Sequence, residues 1–152
     1  MMIFTSRKRH RAWGLRVVLC SLALLGVTAP QAFADGADDA AQKFNSEFDN
    51  NQIYALYGDF AGTTVQAVST QQAFLAQISF MRSAFGNGHI TRSLISTQSS
   101  PSPQTGEAMK GFMFDLKTPV GEFYEALTLI NEKGNGWKMY GFYVNPAPPP
   151  PH

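Results

Sequence analysis

Two carboxylates, Glu125 and Asp115, are the side chains of this 152-residue sequence best suited to acid–base chemistry. A carboxylate that removes a proton from a small molecule must lie near that proton, and a donor must bind the oxyanion that develops. Tyr124 and Tyr140 carry hydroxyl groups that could serve as this donor. Glu125 and Asp115 are therefore the candidate catalytic residues, if the protein is an enzyme at all.

Glu125 stands out because it interrupts an apolar face. In "EFYEALTLIN", Phe123, Leu127 and Leu129 alternate with polar residues, and Glu125 has the same parity as the three apolar ones. A carboxylate on an apolar face is either paired or functional. Pairing with Arg82 or Arg92 is the structural alternative, and general-base chemistry is the functional one. Asp115 lies on the face opposite its apolar neighbours, which favours simple exposure to solvent.

Other kinds of site find little support. His89 is the only histidine between Asp35 and the last residue, whereas zinc needs three or four ligands. Cys20 is the only cysteine, so no disulfide or thiolate site is expected beyond it. The stretch "FGNGH" lacks the Lys-Ser or Lys-Thr of a phosphate-binding loop and precedes a strand. We expect no metal and no cofactor.

The first 34 residues have the order of a secretory signal peptide. Five basic residues precede Val17, an apolar run reaches Ala29, and the triplet Ala32–Ala34 directly precedes Asp35. A retained membrane anchor is the alternative, but a span needs about 20 apolar residues. We therefore predict export, cleavage after Ala34, and a periplasmic or secreted protein without a stable membrane anchor.

Removal of residues 1–34 changes the charge of the chain. Seven Lys and Arg residues and all eleven acids remain, so that the net charge becomes −4 with histidine counted as neutral. Such an acidic chain has no electrostatic footprint for nucleic acid. The 118 remaining residues are enough for one domain with a core of its own.

Helical patterns fill the first half of this domain. "ADDAAQKFNSEF" has an apolar stripe at three- and four-residue steps, and "NQIYALYGDF" follows, with Asn50 as its expected cap. A third helix is predicted from a capping box of Ser69 and Gln72, and Gly86 is expected to stop it.

Alternating patterns fill the second half. Strands are predicted in "HITRSLIST", "EAMKGFMFDLK", "EFYEALTLIN" and "WKMYGFYV", and "SSPSPQTG" is predicted as a loop after the first strand. Helices followed by antiparallel strands indicate an α+β fold. The last strand is apolar on both faces, which favours a curved sheet wrapped around a helix, with Gly141 at the bend. Residues 146–152 form a proline-rich tail after the domain of residues 35–145.

The run from Thr105 to Val144 resembles the C-terminal half of small secreted bacterial domains of unknown function with the nuclear-transport-factor-two-like (cystatin-like cone) fold. The features that match are a proline-containing loop with a glycine, a long alternating strand with a glutamate, and a closing Gly-Trp and Gly-Phe, together with an upstream Arg, Gly and Arg: Gly106, Glu125, Gly136, Trp137, Gly141, Phe142, Arg82, Gly86 and Arg92. The resemblance implies a curved antiparallel sheet that closes over the helices, with a pocket at the open end.

Two functions are compatible with that resemblance. The first is an exported, non-catalytic domain that binds a small apolar molecule or an envelope protein; the sequence leaves the oligomeric state open and permits a dimer. The second follows from enzymes of the same superfold, isomerases and dehydratases, which place an acid or histidine inside the cone. The residues expected to bind in such a pocket are Arg82, Arg92, Tyr124, Tyr140 and Phe142.

Overall fold

The structure, a computed structural model, describes residues 35–146, so the predicted signal peptide and nearly all of the proline-rich tail lie outside it. The elements in chain order are α1 Asp35–Asp49, α2 Ile53–Phe60, α3 Thr63–Val68, α4 Gln71–Ser83, β1 Thr91–Pro101, β2 Ala108–Thr118, β3 Gly121–Glu132 and β4 Gly136–Pro146. The four strands form one antiparallel sheet in the order β1-β2-β3-β4. The α+β class is confirmed. No described helix is long and apolar enough to cross a membrane.

Helix α1 packs its predicted apolar stripe into the concave side of the sheet. Ala37, Ala41, Phe44 and Phe48 are all buried, and α1 lies against β3 and β4. The rings of Phe44 and Phe48 both contact Phe142 of β4, with centroids 5.0 and 5.2 Å apart. Edge-on aromatic pairs of this kind add to the gain from burying their area. The interior beneath α1 is thus filled by phenylalanine rings.

Both edge strands contain a β-bulge. In β4 the partner of Leu129 is Met139 and the partner of Thr128 is Gly141, so that Tyr140 is the extra residue. A bulge bends its strand and reverses the parity of the residues beyond it. Trp137, Met139, Phe142 and Val144 therefore all pack against the core, whereas simple alternation divides them between two faces. The expectation of two apolar faces in this strand was wrong, because alternation alone does not detect a bulge.

Other local predictions also need correction. The strand β1 continues through Ser99, Ser100 and Pro101, which were predicted as a loop; a proline is tolerated there because β1 is an edge strand. The cap of α4 is Thr70, whose Oγ1 accepts a hydrogen bond from the Ala73 amide at 3.2 Å, and not Ser69.

Two further differences concern the shorter helices. Asn50 does not cap α2; its Nδ2 donates instead to the Ser46 carbonyl in the last turn of α1. The helix α3 was not predicted. Its first amide, from Thr63, donates to the Glu132 carboxylate at 3.1 Å, and the Thr63 hydroxyl donates to the same group at 2.9 Å. This cap comes from β3, 69 residues away, so no local sequence signal could show it.

A charged cluster joins α1 to α2 on the side away from β1. Lys43 Nζ lies 2.7 Å from Asp59 Oδ2 and 3.8 Å from Glu47 Oε1. Burial, together with the hydrogen bond and charge of the nearby Asp59 carboxylate, raises the pKa of Glu47 to about 7, against the opposing effect of Lys43. Lys138 of β4 donates to the Asp59 carbonyl at 2.7 Å. Glu47 is therefore a group that takes up a proton on folding near neutral pH.

Phe48→Ala should lower the free energy of unfolding by about 3–5 kcal/mol, because it removes a fully buried ring that contacts Phe85 and Phe142. Phe80→Ala is the matched control: this residue is also helical but 76% exposed, and its loss should cost less than about 0.5 kcal/mol. Urea unfolding of both variants measures the difference. Equal effects would contradict the packing of α1 described above.

Glu47→Gln should flatten the pH dependence of stability. The pKa of Glu47 is raised in the folded state from its ordinary 4.5 to about 7, so its stabilising contribution is complete below pH 4.5 and is lost as the pH rises through 7. The parent should therefore lose about 1–3 kcal/mol relative to the variant across this range. Urea unfolding at pH 4.5, 6 and 8 tests this, and parallel pH profiles for the two proteins would refute it.

Candidate functional site

Arg92 lies at the centre of a buried ionic cluster. Its Nε donates to both oxygens of Glu125 at 3.2 Å, and its Nη2 donates to Glu125 Oε2 at 2.9 Å. Its Nη1 donates to Asp49 Oδ2. The guanidinium carbon lies 5.8 Å from the centroid of the Phe48 ring. One side chain of β1 thus binds β3 and the C-terminal residue of α1.

Glu125 is fully buried, as its apolar parity predicted. Burial raises its pKa, Arg92 opposes this shift through its charge and hydrogen bonds, and the Asp49 carboxylate adds to it. Arg92 is the counter-ion, one of the two partners expected from the sequence. A carboxylate clamped by a guanidinium in this way has little freedom to take a proton from a substrate, because a transferred proton would disrupt the ion pair.

Arg82, the other expected partner, makes different contacts. Its Nε and Nη2 donate to the Asp49 carbonyl at 3.2 and 3.1 Å, and its Nη1 donates to the Gly86 carbonyl at 2.8 Å. A helix leaves its last carbonyls without intrahelical partners, and Arg82 satisfies one of them at the end of α1. The helix α4 ends at Ser83, three residues before Gly86, whose φ of +75° turns the chain after the helix. Arg82 is thus a connection between α1 and the end of α4.

An open groove of about 530 Å³ lies between α1 and the β1–β2 half of the sheet. Helix α1 packs on β3 and β4, and the groove lies where α1 faces the edge strand β1, whose Leu94 is exposed, and the rings of Phe112 and Phe114 of β2, which are themselves buried. One wall consists of polar residues of α1 and the other of residues from β1 and β2: Asp38, Asp39, Ala41, Gln42, Asn45, Ser46 and Asp49 on the first, and Arg92, Leu94, Phe112 and Phe114 on the second.

Ion pairs stand near both ends of this groove. At the Asp38 end, Lys110 Nζ donates to the two Asp38 carboxylate oxygens at 2.8 and 2.7 Å. At the other end is the pair of Asp49 and Arg92. The two aspartates are eleven residues apart on one helix, so the groove between them is about 16 Å long. That length and volume are suited to a small molecule.

The residues expected from the sequence to form the site divide between several places. Of the five expected binding residues, only Arg92 lines the groove. Tyr124 is 39% exposed and pairs with Asp115 on the outer face of the sheet, opposite the groove. Tyr140 is the bulged residue of β4, and Phe142 packs between the rings of Phe44 and Phe48.

His89 and a second groove lie apart from the groove beside α1. His89 is exposed. A second groove, of about 490 Å³, lies between α2 and α4 and is lined by residues such as Ile53, Tyr54 and Leu75, none of which is charged. No group of three or more histidine, cysteine or acidic side chains within residues 35–146 could hold a metal ion.

Sequence reasoning missed most of the groove. Asp38, Asn45 and Asp49 recur at helical spacing and form a polar stripe beside the apolar stripe of α1. Only the apolar stripe of this helix was predicted from the sequence. The periodicity shows which residues share a face, but which strand that face meets depends on how the helix docks.

The fold of this chain is similar to that of a solved structure. It is assigned as a calcium/calmodulin-dependent protein kinase type II association domain from Thiobacillus denitrificans; it matches 73% of this chain and 94% of its own, with a TM-score of 0.52 and 12% identity. At that identity the likeness shows a shared fold alone, and it is consistent with the cone expected from the sequence. No protein-family model and no curated protein matched the chain.

Arg92→Met should lower the free energy of unfolding by about 3–5 kcal/mol, because Glu125 then stays buried without its counter-charge. The pKa of Glu125 is already raised by burial and should rise further. A raised folded-state pKa makes stability fall with increasing pH, so the defect should be larger at pH 8 than at pH 5.

The double variant Arg92→Met, Glu125→Leu is the control for that measurement. It removes both buried charges, and apolar replacement of a buried ion pair is often neutral. Urea unfolding of the single and double variants should therefore show recovery of most of the lost stability. A double variant that is as unstable as Arg92→Met would contradict the pairing of Arg92 with Glu125.

Proposed function

We propose that this chain is an exported, non-catalytic cone domain that binds a small molecule in the groove between α1 and the β1–β2 half of the sheet. The observation that carries the proposal is the open groove of about 530 Å³ beside an otherwise filled interior. The interior offers no room for a substrate near Glu125, because phenylalanine rings from α1, β3 and β4 occupy it.

The groove has the composition of a binding site. It is concave, it has apolar residues from β1 and β2, and it has a few polar groups that could orient a ligand. Its apolar wall agrees with the ligand expected from the sequence, a small molecule with substantial apolar surface. An envelope protein whose side chain enters the same groove is the other form of this proposal.

The enzymatic alternative has less support from the geometry. Glu125 is held by three hydrogen bonds from Arg92 and does not line the groove. Asp115 lies on the other face of the sheet, where it pairs with Tyr124. A general base must be within hydrogen-bond reach of the proton that it removes. Neither carboxylate meets this requirement for a molecule bound in the groove.

Export of the mature domain follows from the predicted signal peptide, with residues 35–152 as the mature form. This part of the proposal predicts an N-terminus at Asp35. It also predicts a location in the periplasm or outside the cell.

Native mass spectrometry of the protein purified from the envelope of its own organism tests these points together. We expect a mass that begins at Asp35 and an additional adduct of small-molecule mass, which Leu94→Lys should remove because it places a charge in the apolar wall. Val120→Lys is the control, since Val120 is similarly exposed, at 58% against 56%, but lies in the β2–β3 turn. An intact residue 1 on exported material would refute cleavage, and an adduct that survives Leu94→Lys would refute the groove.

A further inference from the structure

The groove carries more negative than positive charge. Asp38, Asp39 and Asp49 line it, and Glu125 lies behind it on Arg92. The cations that face these acids are Lys110 and Arg92. Within residues 35–146, Asp39 makes no ion pair. An excess of carboxylate therefore remains whether Glu125 is ionised or not.

The opposite wall is apolar and aromatic. The rings of Phe112 and Phe114 are stacked, with an interplanar angle of 9° and centroids 6.2 Å apart. Leu94 from β1 pairs with Phe114 and is 56% exposed, which is unusual for a leucine on the concave side of a sheet. Aromatic rings attract cations, as the position of Lys110 Nζ, 5.3 Å from the Phe112 centroid, already illustrates. Phe112 and Phe114 are only 4% and 8% exposed, so Leu94 supplies most of the exposed apolar surface of this wall. This surface favours a ligand with an apolar body.

Two acceptor atoms on the α1 wall have no donor. Asn45 Oδ1 and Asp49 Oδ1 are shielded from solvent, and neither accepts a hydrogen bond from the residues that the structure describes. Buried acceptors without a partner are costly, so they are rare in folded proteins. Both belong to residues that line the groove, where N–H groups of a ligand could satisfy them after small side-chain movements.

We propose that the groove binds a small organic cation, an amine whose aromatic or aliphatic body packs on Leu94 beside the edges of Phe112 and Phe114 and whose ammonium group lies by the aspartates of α1. This inference rests on the proposed function and gives the chemical class of its ligand. Three observations support it: the surplus of carboxylates, the apolar wall and the unpartnered acceptors, with Asp49 contributing to both the first and the third. A neutral apolar molecule would use only the second, and an anion would be repelled by the first.

Three probes of similar size and different charge separate these cases. Tryptamine is an aromatic amine, 3-ethylindole has the same ring without a charge, and indole-3-propionate has a carboxylate in place of the amine. Chemical-shift titration of the ¹⁵N-labelled chain of residues 35–152 at pH 7 measures binding and locates it. We expect tryptamine to bind at least tenfold more tightly than 3-ethylindole, with shifts centred on Asn45, Leu94 and Phe114, and indole-3-propionate to bind least.

A pair of charge-removing variants then tests the role of the carboxylates. Asp39→Asn should weaken tryptamine binding about threefold to tenfold and leave 3-ethylindole binding unchanged, because it removes one nearby charge. Asp115→Asn is the control, since it removes the same charge from the opposite face of the sheet. Raising the salt concentration should weaken tryptamine binding to the parent more than to Asp39→Asn.

Several results would overturn the inference. Equal affinity for tryptamine and 3-ethylindole would make the groove a site for apolar ligands, which leaves the proposed function intact. Tighter binding of indole-3-propionate would mean that the positive charge of Arg92 dominates the electrostatic potential in the groove, and it would refute a preference for cations. If none of the probes binds at 1 mM, the groove does not select aromatic amines, and the ligand detected by native mass spectrometry still decides the proposed function separately.

Discussion

Arg92 connects three parts of the fold through one guanidinium group. It reaches from β1 to Glu125 on β3 and to Asp49 at the end of α1, while Arg82 of α4 binds the carbonyl of the same Asp49. The end of α1 is therefore fixed against the sheet by charge-assisted hydrogen bonds, which are stronger than neutral ones. Because a buried charge without its partner costs several kcal/mol, these elements cannot easily separate.

The fixed position of α1 has a consequence at its other face. The phenylalanine stripe of the helix packs towards β3 and β4, and Phe112 and Phe114 of β2 are buried as well, whereas Leu94 of the edge strand β1 stays exposed. The groove lies at this edge of the sheet, with Leu94 in its wall. Core packing and a candidate binding site thus arise from the same arrangement. The groove lies between the helix and the edge strand that the helix does not cover.

The two bulges give the sheet its shape. Each lies on an edge strand, at Ile95 in β1 and at Tyr140 in β4, where an extra residue disturbs few neighbours. Bulges increase the local twist, and a sheet bent at both edges can wrap around a helix. In β4 the bulge also returns Phe142 and Val144 to the core side after Met139. Without it, Phe142 could not contact Phe44 and Phe48.

The sequence by itself determined the fold class, the apolar stripe of α1, the four strands and the burial of Glu125, because these depend on periodicities that local residues impose. Only the tertiary structure decided that Glu125 pairs with Arg92, that Glu132 caps α3, and that polar residues of α1 face β1 and β2 across a groove. Each of these joins residues far apart in the chain. Spacing within an element shows which residues share a face, but the docking of one element on another decides what that face meets.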